Sequence, residues 1–413
     1  MRILIGLGTV LYHAGIRLAA PFVPKARAWV DGRRGQWTRL EARSKELHGC
    51  LWMHCASVGE FEQGRPVLEA LKRERPELPV LLTFFSPSGY EARKDYALAT
   101  HVEYLPPDSR ANAERLQALA QPSLAIFIKY EFWYQHLHSL KNAAVPTYLV
   151  SAIFRSSQPF FTWYGAAYRA MLRCFDKVFV QDEASRELLS GIDVRNVTVS
   201  GDTRFDRVSA ITADPVRIPF AEHFAHGQER PVLVAGSTWP PDEALLAEQQ
   251  RSIPMMIVPH EISAAHVQQL RQRFTSDACT VLEYEERVMT RPDARCTHLI
   301  VDRMGLLSRL YNYADITYVG GGFGSGIHNT LEAAAWGKPV IFGPNHARFA
   351  EAQGLIDAGA GFCVRNADEL HEVLQRLLSD PGALRTASQA AAHYVRERTG
   401  ATARVVSGIT GKG

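Results

Sequence analysis

Short apolar runs alternate with amphipathic stretches along most of the chain from Leu51 onward. Apolar runs of this length bounded by polar turns predict buried strands, and the stretches between them predict helices. Regular alternation of the two predicts a parallel sheet with helices on both faces. The strands predicted for the first half are Leu51–Ser57, Val80–Phe85, Val102–Leu105, Leu124–Lys129, Thr147–Ala152, Lys177–Gln181 and Val197–Ser200.

A second alternation of the same kind follows a stretch, residues 212–230, that has no clear period and contains two prolines. Prolines and the loss of periodicity are typical of a linker, so we predict two doubly wound domains with a ligand cleft between the carboxyl ends of their sheets. The second series of strands is Pro231–Ala235, Met255–Val258, Thr280–Tyr284, His298–Val301, Ile316–Gly320, Pro339–Phe342 and Gly361–Val364. The predicted boundaries are 1–35, 36–211, 212–230, 231–380 and a C-terminal helical segment 381–413.

The first 23 residues are largely apolar and are followed by the basic residues Lys25, Arg27, Arg33 and Arg34. Arg2, His13 and Arg17 interrupt the apolar stretch, so a spanning helix is not favoured. Apolar residues beside a basic cluster favour a helix lying in the interface of an anionic membrane. The alternative is an ordinary first helix packed on the protein core.

Composition narrows the function classes. The chain has 413 residues, 46 Lys and Arg against 43 Asp and Glu, and a net charge of +3. This balance, without a basic run, argues against a nucleic-acid partner. The six cysteines are scattered with no Cys-x-x-Cys pair, and no His/Asp/Glu set has metal-ligand spacing, so neither a metal nor a disulfide framework is predicted.

The glycine-rich stretch between Ala314 and Val340 predicts a buried strand, a five-glycine loop and a helix start. Free backbone N–H groups and the positive end of a helix dipole would favour a phosphate there. The loop includes Gly321, Gly322 and Gly324, and Glu332 could accept hydrogen bonds from a ribose. A tight turn that needs glycine only for its backbone angles is the alternative. Neither a Walker loop nor a dinucleotide fingerprint can be recognised.

Two carboxylates follow predicted strands of the first half. Glu60 begins a predicted helix after the first strand, where it could be a general base facing the cleft or a partner of the helix dipole. Glu131 follows the Leu124–Lys129 strand, among aromatic residues. Further candidate substrate-binding residues after predicted strands are Ser86, Ser88, Gly89, Arg155, Ser237 and Thr238. Arg204, at the end of the last strand before the linker, adds a cation that could reach the cleft.

Several motifs in series resemble those of the Kdo transferases, the 3-deoxy-D-manno-octulosonic acid transferases of lipopolysaccharide assembly. The resemblance covers nearly the whole chain. The motifs are His54-Cys-Ala-Ser-Val-Gly-Glu60, Ser86-Pro-Ser-Gly89, Glu131-Phe-Trp133, Gly201-Asp-Thr-Arg-Phe-Asp206 and Gly320-Gly with His328-Asn-Thr-Leu-Glu332.

The resemblance implies a GT-B glycosyltransferase that moves Kdo from CMP-Kdo to a lipid A precursor (lipid IVA), with inversion, without a metal or other cofactor. It implies action at the cytoplasmic face of the inner membrane, with peripheral or monotopic contact. Glu60 falls on the family's catalytic base, and Glu131 and Arg204 fall on transition-state positions. Residues on the CMP-binding segments are Pro259, His260, Met304, Gly305, Leu306, Asn329, Thr330, Leu331 and Glu332.

Two residues depart from the family pattern, because His260 stands where arginine is usual and Leu306 stands where an acidic residue is usual. The alternatives are another GT-B enzyme that uses a UDP-sugar, or an NAD-dependent two-domain oxidoreductase. The missing dinucleotide fingerprint argues against the oxidoreductase. A non-catalytic binding protein of two α/β lobes is a third alternative. The exposed or buried state of the aromatic run at residues 160–164 is also open, because it could contact lipid or pack on the core.

Overall fold

The computed structural model describes residues 2–274, 278–280 and 296–411. It divides into two compact units, the first formed by Met1–Arg207 with Thr399–Gly413 and the second by Val208–Arg398. Each unit contains a seven-stranded sheet in which every described pair of neighbouring strands is parallel. The predicted α/β class with two doubly wound domains is confirmed.

The sheet of the first unit has the strand order β3-β2-β1-β4-β5-β6-β7. Its central strands are wholly buried, as expected for a parallel sheet covered on both faces. All seven strands predicted for the first half are present, with ends that differ by at most two residues. They are β1 Leu51–Cys55, β2 Val80–Phe84, β3 His101–Tyr104, β4 Leu124–Ile128, β5 Thr147–Ala152, β6 Lys177–Val180 and β7 Val197–Val199.

Helices of the first unit cover both faces of this sheet. The helix after β1 begins at Val58, two residues before the predicted start at Glu60, because Ser57 and Glu60 form a capping arrangement in the first turn. The helices are α1 Arg2–Ala19, α2 Pro24–Gly32, α3 Gln36–Leu47, α4 Val58–Glu74, α5 Pro87–Arg93, α6 Arg110–Ala120, α7 Tyr134–Asn142, α8 Ala166–Leu172, α9 Glu183–Ser190 and α10 Thr203–Ala213, of which the residues from Val208 onward belong to the second unit.

The second unit repeats the design with the strand order β10-β11-β9-β8-β12-β13-β14. Its strands are β8 Leu233–Thr238, β9 Met255–Pro259, β10 Ala278–Thr280, β11 His298–Ile300, β12 Ile316–Val319, β13 Val340–Phe342 and β14 Gly361–Cys363. Its helices are α11 Pro219–His226, α12 Pro240–Glu248, α13 Ala264–Arg273, α14 Leu307–Leu310, α15 Leu331–Ala334, α16 Ala350–Asp357, α17 Ala367–Ser379 and α18 Pro381–Arg396. The predicted strand Thr280–Tyr284 lies mostly outside the described residues.

The unit boundaries differ from those predicted. The predicted linker 212–230 contains the end of α10 and all of α11, whose Phe220 and Phe224 are buried. Pro219 begins α11, where a missing N–H costs little, and the irregular parts of the predicted linker are limited to residues 214–218 and 227–230. The predicted segment 381–413 contains α18 and a final helix, α19 (Ala401–Thr410), which belong to the second and first units respectively.

Helix α19 is held to the first unit by specific contacts. Asp206 accepts hydrogen bonds from the backbone N–H groups of Gly400 and Thr402 at 2.5 and 2.6 Å. Val405 and Val406 are buried in the same apolar cluster as strands β1 and β2. Helix α19 therefore completes the apolar core of the first unit, although it follows the second unit in the sequence.

The N-terminal helices have two different faces. His13 of α1 is buried and stacks on Trp29 of α2, with ring centroids 5.4 Å apart, while Leu11, Leu18 and Phe22 are exposed. In the part of the chain that the structure describes, no helix combines the length and apolarity needed to cross a membrane. The sequence left two alternatives, packing on the core and contact with a membrane. Some residues of this segment are buried against the protein, whereas others expose apolar side chains.

Cysteine chemistry departs from the sequence expectation at one position. Cys50, Cys55, Cys174 and Cys363 are free thiols, but Cys296 is disulfide-bonded. The wide spacing of cysteines along the sequence gave no sign of this bond, because spacing does not report which residues the fold brings together.

Candidate active site

The two predicted carboxylates meet the same edge of the first sheet. Strand order reverses between β1 and β4, and the carboxyl ends of adjacent parallel strands on either side of such a reversal are where α/β sheets bind ligands. Glu60 follows β1, and Glu131 follows β4. The fold therefore brings to one point two carboxylates that lie 71 positions apart in the sequence.

Glu60 occupies the first turn of α4. Its Oε2 accepts hydrogen bonds from the backbone N–H groups of Ala56 at 2.5 Å and Ser57 at 3.2 Å. Glu60 thus lies at the start of a helix, as the helix-dipole alternative from the sequence predicted, and binds N–H groups just before it. Its Oε1 has no hydrogen-bond partner among the described residues, which leaves one oxygen able to accept a proton from a ligand.

The environment of Glu60 makes it a stronger base than an exposed glutamate. Burial raises its pKa from 4.5 to about 7, and the negative charge of Glu131 acts in the same direction. The Ala56 and Ser57 N–H groups and the Lys129 ammonium oppose this rise. A general base works best when its pKa lies near the operating pH, so both the position and the pKa of Glu60 suit proton abstraction.

Glu131 is held by a buried polar cluster. Its Oε2 lies 2.8 Å from Nε2 of His54 and accepts a 2.7 Å hydrogen bond from the Trp133 indole N–H. His54 is fully buried on β1, and its Nδ1 lies 2.9 Å from the Thr83 hydroxyl on β2. The sequence motifs contained His54 and Trp133, but nothing in the sequence showed that they contact Glu131.

Residues with strained backbone lie near the carboxyl ends of strands in both sheets. Lys129, Ser151 and Ser237 have positive φ angles of 64°, 56° and 52° although none is glycine. They lie at or just after the carboxyl ends of β4, β5 and β8. Non-glycine residues in this conformation cluster at functional sites, where the surrounding fold holds them.

The other predicted residues of the first unit have varied surroundings. Ser86 caps α5 by accepting from the Gly89 N–H at 3.1 Å, and Ser88 is exposed beside it. Arg155 is exposed. Arg204 is ion-paired with Asp202, with an Nη2 to Oδ2 distance of 2.7 Å, so its charge is partly compensated.

The glycine loop of the second unit follows β12, next to β8, where the order of the second sheet reverses. A Cβ on Gly320 would lie 2.4 Å from the Ser237 carbonyl oxygen, and one on Gly322 would lie 2.5 Å from the Gly343 Cα. Gly321 has a φ of +92°. Packing thus explains these three glycines, whereas Gly324 is exposed, and the nearest atom to its Cβ position is 3.6 Å away.

Several loop donors predicted to face a phosphate are already used within the protein. The Gly321 N–H donates to the buried carboxylate of Asp242 at 2.9 Å, and the Gly324 and Gly326 N–H groups donate to the Gly321 carbonyl. The Phe323 and Ser325 N–H groups have no acceptor in the described part of the chain. A phosphate at this loop would therefore meet fewer backbone donors than the glycine count predicted.

The helix predicted after the loop is only one turn long, residues 331–334, and adds little dipole. Asn329 precedes this helix, donating from Nδ2 to Glu332 Oε1 at 3.0 Å. Thr330 and Leu331 have fully buried side chains, so a ligand could reach only their backbone. Of the four predicted nucleotide-binding residues here, Asn329 and Glu332 retain accessible side chains.

Three aromatic rings form a stack beside this loop. Trp239 and His260 are 4.7 Å apart between ring centroids, and His260 and His328 are 4.4 Å apart. The Trp239 indole donates to His328 Nε2 at 3.0 Å. The pKa of His328 is lowered mainly by burial and also by the nearby His260. His260 is exposed, and Pro259 before it is buried at the end of β9. The stack is a flat surface of the kind that binds a base or sugar ring.

The remaining predicted nucleotide segment, residues 304–306, lies in a turn before α14. Met304 is exposed, Gly305 has a φ of +82°, and Leu306 is half-buried. Among the described residues, no group of three or more His, Cys, Asp or Glu side chains could hold a metal ion.

Comparison with known proteins identifies the class first. A UDP-GlcNAc 2-epimerase from Neisseria meningitidis, solved with UDP-GlcNAc bound, has a TM-score of 0.59 and 16% identity, covering 87% of this chain and 99% of that one. A putative UDP-N-acetylglucosamine 2-epimerase from Listeria monocytogenes has the same TM-score, at 13% identity over 88% of this chain and 96% of that one. At such identities the similarity shows the fold, which is the two-domain, Rossmann-like architecture of GT-B enzymes.

Sequence comparison then gives the family. Residues 30–207 match the family model described as 3-deoxy-D-manno-octulosonic-acid transferase. A 3-deoxy-D-manno-octulosonic acid transferase of Bordetella pertussis is 28% identical over 98% of this chain and 99% of its own length, and one of Aquifex aeolicus is 28% identical over 81% and 88%. The chain is therefore similar to the Kdo transferases, within residues 30–207 for the family model and over nearly its whole length for the Bordetella pertussis protein, which confirms the resemblance found in the motifs.

Proposed function

We propose that this protein transfers Kdo from CMP-Kdo to a lipid A precursor, lipid IVA, with inversion at the anomeric carbon and without a metal ion. The observation that carries the proposal is the pair of carboxylates at the reversal point of the first sheet, within the region that matches the family. One of them, Glu60, has a pKa of about 7.

The reaction needs one proton transfer and one displacement. Glu60 removes the proton from an acceptor hydroxyl, and the resulting oxygen forms a bond to the anomeric carbon of Kdo. The bond from that carbon to the CMP phosphate oxygen breaks, and its electron pair leaves with CMP. Attack opposite the departing phosphate inverts the configuration. Glu131 provides a fixed negative charge close to the forming oxocarbenium-like centre.

The protein has to bind the departing CMP but does not have to react with it. The Trp239–His260–His328 stack supports a role in binding a ring of the donor, and Glu332 supports a role in binding the ribose hydroxyls. The N–H groups of Phe323 and Ser325 are the donors proposed to stabilise the negative charge on the phosphate.

The experiment that tests the function uses purified protein, CMP-Kdo generated in situ and tetra-acylated lipid A precursor. Mass spectrometry of the product should show whole Kdo additions and count them, and NMR of the new linkage should show inversion. The rate should not change with a chelator. Calorimetry with CMP, UMP and UDP separates the alternative, because a UDP-sugar enzyme would bind UDP and leave CMP unbound. Absence of Kdo transfer, with UDP bound, would overturn the proposal.

We also propose that the N-terminal helices contact the cytoplasmic face of the inner membrane. Leu11, Leu18 and Phe22 are 62%, 76% and 85% exposed, and Lys25 and Arg27 follow in the chain. Exposed apolar side chains next to cations match the chemistry of an anionic lipid surface. Trp163, 92% exposed beyond the buried Phe160, is a second apolar contact of the same kind.

The combined substitution of Leu11, Leu18 and Phe22 by serine is expected to reduce transfer to vesicle-embedded acceptor by about tenfold or more, because lipid contact depends on buried apolar area. Transfer to detergent-dispersed acceptor should change little. The matched control replaces Leu98 and Val216, exposed apolar residues outside these helices, by serine. Equal losses on both acceptors, or the same loss in the control, would exclude a specific membrane role.

A further inference from the structure

The polar cluster around Glu131 extends across three neighbouring strands. His54 on β1 lies opposite Thr83 on β2 and Phe127 on β4 in the strand register. The Trp52 indole donates to the Thr83 hydroxyl at 2.9 Å, and Thr83 contacts His54. His54 and Thr83 are fully buried, and the Glu131 side chain is only 8% exposed. The cluster is therefore shielded from the solvent that would otherwise replace its hydrogen bonds.

The proton positions follow from what each atom can do. A carboxylate oxygen only accepts, so when Glu131 is ionised, Nε2 of His54, 2.8 Å from Glu131 Oε2, is the donor of that bond. The Trp133 indole lies 3.0 Å from the same Nε2. Since Nε2 is then a donor, the indole must donate to Glu131 instead. One oxygen of Glu131 thus receives two N–H donors, and hydrogen bonds to the ionised form favour it.

We infer that His54 and Trp133 are positioning residues that hold Glu131 ionised and fixed beside Glu60, so that the charge of Glu131 tunes Glu60 as the base. The inference depends on the proposed function only because it gives Glu60 the role of catalytic base. The charge relation itself is a property of the free protein. Burial and Glu131 raise the pKa of Glu60, and Lys129 lowers it. The other titratable groups close to these carboxylates are Cys55, Glu62 and Tyr130.

Carboxyl titrations by 13C NMR of glutamate-labelled protein, without substrate, test the inference directly. Glu131→Gln removes the neighbouring charge, so the Glu60 midpoint should fall from about 7 towards 4.5. Trp133→Phe keeps the ring but removes one of the two N–H donors that fix the Glu131 carboxylate, so the Glu60 midpoint should fall in the same direction as in Glu131→Gln, by a smaller amount. His54→Leu should lower the Glu60 midpoint in the same direction. The kcat of Trp133→Phe should fall while the KM for the acceptor changes little.

The control is Phe85→Leu, which alters the packing on the Trp133 ring, 5.0 Å away between centroids, but removes no hydrogen bond. It should leave the Glu60 midpoint in place. An unchanged Glu60 midpoint in Trp133→Phe, with only a lower melting temperature, would show a purely structural role and overturn the inference. Because His54→Leu removes a buried side chain and can unfold the protein, the half-buried Trp133 carries the test. Titrations that behave as expected in a protein that does not transfer Kdo would leave the inference standing and reject the function.

Discussion

Glu60→Gln is expected to lower the rate of Kdo transfer by about 10²–10⁴-fold, the usual effect of losing a general base. Glutamine keeps the size of the side chain and can still accept from the Ala56 and Ser57 N–H groups, so the first turn of α4 should survive. CMP binding by calorimetry should not change. If the variant keeps more than about a tenth of the wild-type rate, Glu60 is only a helix-terminus carboxylate.

The pH dependence gives an independent check of the same residue. The wild-type rate should rise with pH through about 7, as Glu60 ionises, and this acidic limb should be absent in Glu60→Gln. A carboxyl whose pKa is raised on folding stabilises the fold below its unfolded value and loses that contribution as pH rises through its folded value. Glu60→Gln should therefore be more heat-stable than wild type at about pH 8.5, because each tenfold weakening of the acid on folding corresponds to about 1.4 kcal/mol, and no more stable at about pH 4. If wild type and Glu60→Gln had the same melting curve as each other at both pH values, that result would contradict a raised pKa for Glu60.

The second large effect concerns two glycines of one loop. Gly322→Ala should destabilise the second unit by about 1–3 kcal/mol or more, because its Cβ would meet the Gly343 backbone at 2.5 Å. Gly324→Val should fold normally, because its Cβ finds no atom closer than 3.6 Å. It should nevertheless weaken CMP binding by about 1–3 kcal/mol, because the side chain fills space in front of the loop donors.

Thermal unfolding and calorimetry on both variants separate the two roles. Gly324→Ala, with a smaller side chain at the same position, serves as the control for the bulk of valine. Full CMP affinity in a folded Gly324→Val would place the nucleotide away from this loop. A fully stable Gly322→Ala would mean that the loop can shift its backbone at little cost.

Strand positions in the first half could be predicted because a parallel sheet buries both faces of each strand, which leaves continuous apolar runs such as Leu124–Ile128. The position of Glu60 followed from the same pattern, because a residue just after such a run lies at the carboxyl edge. The strand order was not encoded in these runs. It is the order that places Glu131 beside Glu60.

The contacts that define the site were harder to predict. His54 sits within an apolar strand, where the sequence pattern shows only that it is buried, and its partner Glu131 is 77 positions away. The glycine loop was overinterpreted for a related reason. Five glycines suggested a phosphate cradle, but tight packing against Ser237 and Gly343 requires glycine at Gly320 and Gly322 without any ligand.

The return of α19 to the first unit has a consequence for the order in which the protein is made. Ribosomes release a chain from its N-terminus, and a domain normally folds as soon as its own residues emerge. Here the Glu60-bearing unit lacks Val405 and Val406, and the Gly400 and Thr402 partners of Asp206, until the second unit has been synthesised. The first unit is thus completed only after the second, and a chain truncated after Arg398 should contain all of the second unit but a first unit with an open core.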